Sequence, residues 1–262
     1  MNKTSLKDFL DRKVDEYNQP FFIHDDPISI PHRFTKKQDI EIAGLFAAVF
    51  AWGNRKSIIN SCDRLLTGMD NAPYDFIMGF KEKDLIPFLD FVHRTFNATD
   101  LFHFFNVLKY HYQFLENASF ETAFSQWMQP GDQNTEKAFN GFYHYFFSPE
   151  MEKDYPGRTM KHIAAPFKKS ACKRLNMYLR WMVRRDNKGV DFGIWQNISP
   201  SQLICPIDLH VARVAKRFNL LNRKQTDWLA AVELTGYLRT LDEDDPVKYD
   251  FALFGLGVID KF

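Results

Sequence analysis

The sequence has few cysteines, and their spacing does not suit a metal site. Only Cys62, Cys172 and Cys205 occur among 262 residues, and no two of them form a CxxC pair. A zinc ribbon or a cysteine-held iron–sulfur cluster needs four closely spaced ligands, so both are excluded. An odd number of distant cysteines favours reduced thiols in a cytoplasmic compartment. Since a Gly-rich phosphate loop is also missing, we expect neither a metal nor a cofactor.

Long apolar runs and period-two patterns are missing as well. No stretch approaches the roughly 20 apolar residues that cross a bilayer, and residues 1–15 are too charged for a signal peptide. Alternation of apolar and polar residues never persists long enough to predict a sheet. These absences favour a soluble protein that is built from helices and has no membrane partner.

The sequence does contain helical periodicity and many aromatic residues. The 27 Phe favour a large and tightly filled interior. The apolar run at residues 40–52 is long enough to be a buried helix rather than a strand. Helices are predicted over residues 6–17, 40–52, 54–67, 74–80, 84–94, 100–115, 120–127, 136–147, 158–164, 170–185, 208–218, 225–241 and 246–256. We therefore expect an all-α fold, a single helical unit over residues 1–262, with Asp84 and Asp100 as N-caps.

The net charge of +1 hides an asymmetry along the chain. Residues 151–224 carry 16 Lys plus Arg against 5 Asp plus Glu, a local balance of +11, whereas residues 225–262 have a balance of −5. Basic charge concentrated on one segment of a neutral chain is typical of proteins that bind a polyanion, above all nucleic acid. The alternative is a basic helical face that is merely solvated.

Within this basic segment, one helix start has the features of a phosphate site. Lys168 and Lys169 precede Ser170, which is the expected N-cap of the next helix. This register places Lys173 in the first turn, where free backbone N–H groups favour an anion. The residues of this segment that we assign to nucleic-acid binding are Lys168, Lys169, Ser170, Arg174, Asn176 and Arg180.

A second helix start follows Pro206. Asp208 begins the helix, and His210, Arg213 and Arg217 fall on one side of it, opposite the apolar side. We assign these three basic residues to nucleic-acid binding too.

Both helix starts resemble helix-hairpin-helix DNA glycosylases. Pro206-Ile-Asp208-Leu-His210-Val211-x-Arg213-Val214 is similar to the Pro-Val-Asp-Thr-His-x-x-Arg-Val segment of that superfamily. It is especially similar to the Pro-Val-Asp-x-Arg-Val-Ala-Arg segment of archaeal 8-oxoguanine DNA glycosylase/lyases. Lys173-Arg-Leu-Asn176 resembles the Lys-Thr-Ala-Asn that opens the helix after the hairpin in bifunctional members.

The chain as a whole also resembles an uncharacterised bacterial family, catalogued only as a conserved domain of unknown function. Two segments belong to the recognisable core of that family: Lys173-Arg-Leu-Asn176-Met-Tyr-Leu-Arg-Trp-Met and Pro246-Val-Lys-Tyr-Asp-Phe-Ala-Leu-Phe-Gly.

The glycosylase resemblance implies a fold of two helical lobes flanking a cleft. One lobe is a helical barrel over residues 36–172, and the other comprises residues 1–35 with 173–262. Asn54 and Arg55, in the turn after a barrel helix, would probe the gap left by a flipped base, although a plain helix cap is the simpler interpretation of this turn.

The resemblance also implies base-excision DNA repair, with Lys173 and Asp208 as catalytic residues. Asp208 would stabilise the positive charge that develops at C1′ of a flipped nucleotide. Lys173 would attack C1′ as a nucleophile, which permits strand cleavage by a lyase reaction. The implied partner is double-stranded DNA with a damaged base or an abasic site, and no obligate protein partner is expected. The implied location is cytoplasmic, and nucleoid-associated when the protein is bound to DNA.

The chain departs from the superfamily in its hairpin. Members usually carry Gly-x-Gly before the lysine, whereas the segment from Lys168 to Cys172 has no glycine. Either another backbone geometry or side-chain charge alone must then hold the phosphate. The 35 positions from Lys173 to Asp208 resemble the archaeal type, and the cysteine array of cluster-containing glycosylases is missing.

Plainer interpretations remain open for single residues. A helix cap alone would explain Asp208, and a phosphate contact alone would explain Lys173. Lys168 or Lys169 replaces Lys173 as nucleophile if the register differs by a turn. His210 suits a hydrogen bond or a phosphate contact on the helix face better than a catalytic base.

Alternatives also remain for the protein as a whole. One is a non-catalytic DNA- or RNA-binding protein on the same scaffold. A small-molecule hydrolase is a third class, but no nucleophile motif supports it. Trp52, Tyr178 and Trp181 could stack on a base, yet aromatic residues at helical spacing are more often core residues.

Overall fold

The computed structural model describes residues 3–114, 119–148 and 156–262. Within these ranges the chain is predominantly helical, as predicted, and all three cysteines are buried and outside disulfides. The described helices are α1 (Lys3–Tyr17), α2 (Phe21–His24), α3 (Lys37–Phe50), α4 (Arg55–Gly68), α5 (Pro73–Gly79), α6 (Ala98–Phe114), α7 (Thr122–Ser125), α8 (Glu136–Phe146), α9 (Lys173–Val183), α10 (Leu209–Arg217), α11 (Trp228–Arg239) and α12 (Tyr249–Val258). Two short strands, β1 (Val92–His93) and β2 (Phe96–Asn97), pair antiparallel. None of the described helices has the length and apolar character to span a membrane.

The backbone divides into two compact units. The first unit comprises Met1–His24, Met128–Lys137 and Ala165–Phe262, and the second comprises Asp25–Trp127 and Ala138–Ala164. The boundaries predicted from the sequence lie elsewhere, at 36–172 and at 1–35 with 173–262. Residues 25–35 fall in the second unit because their two 3₁₀ turns, Pro27–Ser29 and Pro31–Arg33, pack on α3.

The second unit is built around α3. Every residue from Ile40 to Phe50 is buried, and aromatic rings pack around this helix, including Phe96 and Phe104. The Glu41 carboxylate is buried among them. It accepts hydrogen bonds from Tyr112 Oη at 2.9 Å, Ser119 Oγ at 2.7 Å and Phe120 N at 3.0 Å. Because its bonding capacity is used within the unit, Glu41 is a structural residue.

The first unit is built around α12, which packs against α1 and α10. Most of α12 is buried, as its almost entirely apolar sequence requires. Glycines allow the close approach of the neighbouring helices. Gly255 lies against the Tyr17 ring of α1, and Gly257 lies against the backbone of His210 on α10.

The predicted helix at 84–94 is wrong. Glu82–Phe88 forms a 3₁₀ segment, and the β1–β2 hairpin follows it. Pro87 lacks the N–H that an α-helix would need, and Arg94 adopts a left-handed conformation with φ 56° that turns the chain into the hairpin. The predicted helix at 158–164 is likewise a 3₁₀ segment, Gly157–Lys161.

The N-cap roles predicted for Asp84 and Asp100 are also wrong. Each side chain reaches back three residues and accepts a backbone N–H, from Lys81 at 2.9 Å and from Asn97 at 2.9 Å. An acidic residue in the third position satisfies a free donor of the first turn in this way. The sequence thus placed the start of the 3₁₀ segment and the start of α6 to within three residues and misassigned the cap.

Gly255→Ala should destabilise the protein. The added Cβ would lie 2.2 Å from Cδ2 of the buried Tyr17 ring, whose hydroxyl donates to Asp260 Oδ1 at 2.6 Å. The ring or α12 must therefore shift, at a cost of about 1–3 kcal/mol. The matched control is Gly236→Ala on the exposed side of α11, where no atom lies within 4 Å of the new Cβ. The control should stabilise the protein by about 0.5–1 kcal/mol. Denaturant unfolding measures both, and an unchanged Gly255→Ala variant would contradict this packing.

Candidate functional site

Lys173 and Asp208 meet in the first unit. Lys173 is the first residue of α9, and Asp208 is the N-cap of α10. Lys173 Nζ lies 3.0 Å from Asp208 Oδ2, and the two side chains are 35% and 17% exposed. The fold thus brings two residues that lie 35 positions apart in the sequence into one partly exposed ion pair.

The two oxygens of Asp208 have different partners. Oδ1 accepts from the backbone N–H groups of His210 at 2.8 Å and Val211 at 2.9 Å, which caps α10. Oδ2 faces Lys173. Burial acts to raise the pKa of Asp208, but the Lys173 charge and the two N–H groups outweigh it and hold the pKa below its ordinary value. The carboxylate is therefore ionised at neutral pH.

The loop before Lys173 turns twice without glycine. Lys169 and Cys172 both adopt the left-handed conformation, with φ 59° and φ 50°. Ser170 is not the N-cap that we predicted, because Cys172 holds that position and Ser170 Oγ accepts from the Cys172 N–H at 3.1 Å. Asn176 is buried and donates to the Ala171 carbonyl at 3.0 Å. Asn176 therefore fixes the loop to α9 and does not face a nucleic acid.

Arg180 also lies in the interior, in contrast to the predicted nucleic-acid contact. Only 3% of it is exposed. Its guanidinium pairs with Asp191 through Nε at 3.2 Å and with Asp250 through a terminal nitrogen at 2.5 Å. Arg184, which directly follows the last residue of α9, is buried as well and pairs with Asp191 at 3.0 Å and with Asp245 at 2.9 Å. These charges neutralise one another inside the unit.

The other basic candidates of the first unit reach the surface. Lys168, Lys169 and His210 are exposed. Arg213 is exposed but donates to the Gly257 carbonyl at 2.8 Å. Two further candidates have apolar surroundings. The guanidinium of Arg217 lies 4.0 Å from the centre of the Phe262 ring, and burial lowers the pKa of the half-buried Arg174 to about 10.

Asn54 and Arg55 belong to the second unit. Asn54 is the N-cap of α4, and its side chain accepts from Lys56 N at 2.9 Å and Ser57 N at 3.4 Å. Arg55 follows as the first residue of α4 and is exposed. Asn54 therefore has the plain helix-cap role that was the simpler interpretation of this turn.

Two of the three aromatic candidates are core residues. Tyr178 and Trp181 have no exposed surface, so neither can stack on a base in this conformation. Trp52 is half-buried, and the Arg94 guanidinium lies 4.5 Å from the centre of its ring. This cation–π contact occupies a face of the Trp52 ring.

Asp250 is a buried carboxylate that the sequence reasoning did not single out. It lies in the recognised 246–255 segment, where its position within an apolar run was the available signal. Asp250 pairs with Arg180, and the Cys205 Sγ lies 3.9 Å from its other oxygen. Burial raises the pKa of Asp250 to about 6, although Arg180 and Lys173 oppose the rise. Among the described residues, no group of three or more His, Cys, Asp or Glu side chains could hold a metal ion.

Two substitutions of Asp208 should separate its cap from its ion pair. Asn and Asp are equally good helix N-caps, whereas Ala cannot cap. Asp208→Ala should therefore be less stable than Asp208→Asn by about 1 kcal/mol. Because the pKa of Asp208 is lowered on folding, its charge stabilises the fold at neutral pH, and this contribution is lost as pH falls below the ordinary value of 3.8. Unfolding at pH 7 and pH 3 tests this. The cost of Asp208→Asn should shrink at pH 3, and a constant cost would refute the ion-pair contribution.

Comparisons with known proteins agree with one of the two resemblances. Neither the curated proteins nor the solved structures contain a match to this chain. One family profile matches residues 26–259, which include both helix starts and the 246–255 segment. The chain belongs to the family described as Protein of unknown function (DUF2400).

Proposed function

We propose that this protein is a DNA base-excision glycosylase with abasic-site lyase activity, on a scaffold of the helix-hairpin-helix glycosylase type. The observation that carries the proposal is the 3.0 Å pair of Lys173 Nζ and Asp208 Oδ2. An amine and an ionised carboxylate, both partly exposed at helix starts, are the two groups that this chemistry requires.

The proposed reaction acts on a nucleotide flipped out of the duplex. As the bond between C1′ and the base breaks, the base leaves with the bonding electrons and positive charge develops on the sugar. Asp208 stabilises that charge and needs no protonation step, because its lowered pKa keeps it ionised. The Lys173 ammonium gives a proton to the departing base, and the neutral amine then bonds to C1′. A proton passes from this nitrogen to the ring oxygen as the bond between C1′ and that oxygen breaks, which gives an imine. Loss of the C2′ proton to water then expels the 3′ phosphate.

DNA binding is proposed to rest on the exposed cations of the first unit. Lys168 and Lys169 are separated from Lys173, the first residue of α9, by residues 170–172, and both are exposed. The left-handed conformation of Lys169, φ 59°, supplies a turn that the superfamily builds with glycine. In this loop, lysine side chains therefore bind the phosphate that the glycine-containing hairpins of the superfamily bind through their backbone.

Borohydride trapping on abasic-site and 8-oxoguanine duplexes tests the catalytic assignment. Wild-type protein should give a covalent adduct on the peptide that contains Lys173, identified by mass spectrometry. Lys173→Arg keeps the positive charge for a phosphate contact but cannot form an imine, since arginine stays protonated. This variant should bind DNA and trap nothing, a loss of at least about 100-fold. Lys169→Ala is the matched control and should still trap.

Each alternative gives a different result in that experiment. An adduct that persists in Lys173→Arg and disappears in Lys169→Ala would identify Lys169 as the nucleophile. Salt-sensitive binding without adduct or base release would make the protein a non-catalytic nucleic-acid-binding module. If no salt-sensitive binding to DNA is found, the proposed function is wrong.

The double variant Lys168→Ala/Lys169→Ala should weaken binding to all DNA sequences alike. Two lost phosphate contacts should lower the slope of log K against log salt by about 2. A matched control is Lys81→Ala/Lys83→Ala, which removes two exposed lysines from the second unit. Fluorescence anisotropy between 50 and 200 mM salt, roughly the range over which such contacts weaken, compares the slopes. Equal slopes for the two double variants would show that Lys168 and Lys169 do not belong to the DNA-binding surface.

A further inference from the structure

A serine of the second unit is hydrogen bonded to a buried histidine. Ser61 lies in α4, and His93 lies in β1, which packs against α4. The distance from Ser61 Oγ to His93 Nδ1 is 2.8 Å. His93 is only 2% exposed, whereas Ser61 is half-buried. The pair is separate from the Lys173–Asp208 site, which belongs to the first unit.

The second ring nitrogen of His93 determines the direction of its bond to Ser61. His93 Nε2 lies 3.0 Å from the Phe50 carbonyl oxygen. A carbonyl oxygen can only accept a hydrogen bond, so Nε2 carries the proton, and in the neutral ring Nδ1 has none. The Ser61 hydroxyl therefore donates to Nδ1. A hydroxyl, a base that accepts its proton and a third group that orients the base together form the arrangement of an activated nucleophile.

The third group is the carboxyl end of α3. Phe50 is the last residue of this helix, where the carbonyl groups lack partners within the helix. Such a helix end carries partial negative charge, which stabilises the imidazolium that forms when a histidine takes up a proton. The Phe50 ring also packs on the imidazole, with the ring centres 4.9 Å apart. The end of α3 thus orients His93 as a carboxylate orients the histidine of a Ser-His-Asp triad.

Ser61 lines an open cavity that favours negative charge. The cavity has a volume of about 450 Å³, and Ser57, Ser61 and Arg64 line it from one side of α4. The other described lining residues are Asn54, Lys56, Asn60 and Val92, so this lining has two cations and no carboxylate. Arg64 is held at the cavity because it donates to the Val92 carbonyl at 3.0 Å. The size and charge suit a small anionic molecule.

We propose that the second unit contains a hydrolase site for small carboxylic esters that carry a negative charge, with Ser61 as nucleophile and His93 as general base. Lys56 and Arg64 attract the negative charge of the substrate. This inference goes beyond the proposed function and does not rest on it.

The proposed reaction has two steps. Ser61 Oγ bonds to the carbonyl carbon of the ester while its proton passes to His93 Nδ1. His93 then gives this proton to the alcohol oxygen as the bond between that oxygen and the acyl carbon breaks. In the second step, water attacks the acyl-serine and loses a proton to His93. The bond from the acyl carbon to Ser61 Oγ breaks, the proton returns to Oγ, and the acid leaves.

Labelling with an alkyl fluorophosphonate tests the nucleophile. The phosphorus of this reagent bonds to an activated serine oxygen with loss of fluoride, and peptide mass spectrometry identifies the labelled residue. Ser57 is the internal comparison, because it lines the same cavity from the same helix. Ser61 should react at least about 100-fold faster than Ser57, as expected for one positioned general base. Comparable labelling of the two serines, or no label on Ser61, would overturn the proposal.

His93→Gln separates base catalysis from simple exposure of Ser61. The Gln amide can still donate a hydrogen bond but supplies no base, so labelling of Ser61 should fall by at least about 100-fold. The matched control is Thr67→Ala, which removes an exposed hydroxyl of α4 outside the cavity lining and should label like the wild type. Unchanged labelling in a folded His93→Gln protein would contradict the role of His93.

A heat-denatured sample replaces His93→Gln if circular dichroism shows that this variant does not fold. The denatured wild type should label Ser61 and Ser57 alike, because the contact with His93 exists only in the folded chain. Selectivity for Ser61 that survives denaturation would overturn the proposal.

Turnover of two p-nitrophenyl esters tests the substrate class. The acetate ester is neutral, whereas the monoester of succinic acid carries a carboxylate at neutral pH. The wild type should have a higher kcat/KM for the succinate ester by about 2- to 5-fold, the range for one partly solvated ion pair. Lys56→Gln should remove this preference, and Ser61→Ala should hydrolyse neither ester. Equal kcat/KM values in the wild type would refute the anionic substrate, and no turnover of either ester would refute the hydrolase.

Discussion

The first unit depends on the neutralisation of two buried arginines, one in α9 and one directly after it. Arg180 and Arg184 are almost inaccessible to water, and an unpaired charge there would cost several kcal/mol. Asp250, Asp191 and Asp245 come from separate parts of the chain to pair with them. Because salt bridges need close geometry, this requirement fixes α9 against the start of α12 and the 191 segment. The position of Lys173 at the beginning of α9 follows from it.

Asp208 shows how one side chain can serve structure and chemistry together. Its Oδ1 caps α10 through two backbone N–H groups, and its Oδ2 is directed to Lys173. The cap orients the carboxylate without occupying both oxygens. In the proposed reaction, the cap would hold the carboxylate at a fixed angle, which is the preorganisation that charge stabilisation needs. The cap and the proposed catalytic role of Asp208 are therefore compatible.

Much of the architecture could be predicted from the sequence, because it depends on local patterns. The buried α3, the amphipathic α9 and the start of α10 at Asp208 follow from apolar periodicity and capping preference. The errors come from single residues that interrupt such patterns. The helix predicted at 84–94 is a 3₁₀ segment and a hairpin, because Pro87 lacks an N–H and Arg94 adopts a left-handed conformation. Short strands of two residues leave no periodic pattern in a sequence, so the hairpin could not be predicted.

By itself the sequence determined the helical class, the basic middle segment, the helix start at Asp208 and, to within three residues, the helix start at Lys173. The tertiary structure alone decided which of the basic residues face solvent, because periodicity identifies a side of a helix but not what packs on it. Arg180 and Asn176 read as surface residues and proved to be internal, since their partners Asp250 and Ala171 are set by the folded chain. The same holds for the 3.0 Å pair itself, because a distance across 35 positions depends on how the intervening chain folds back.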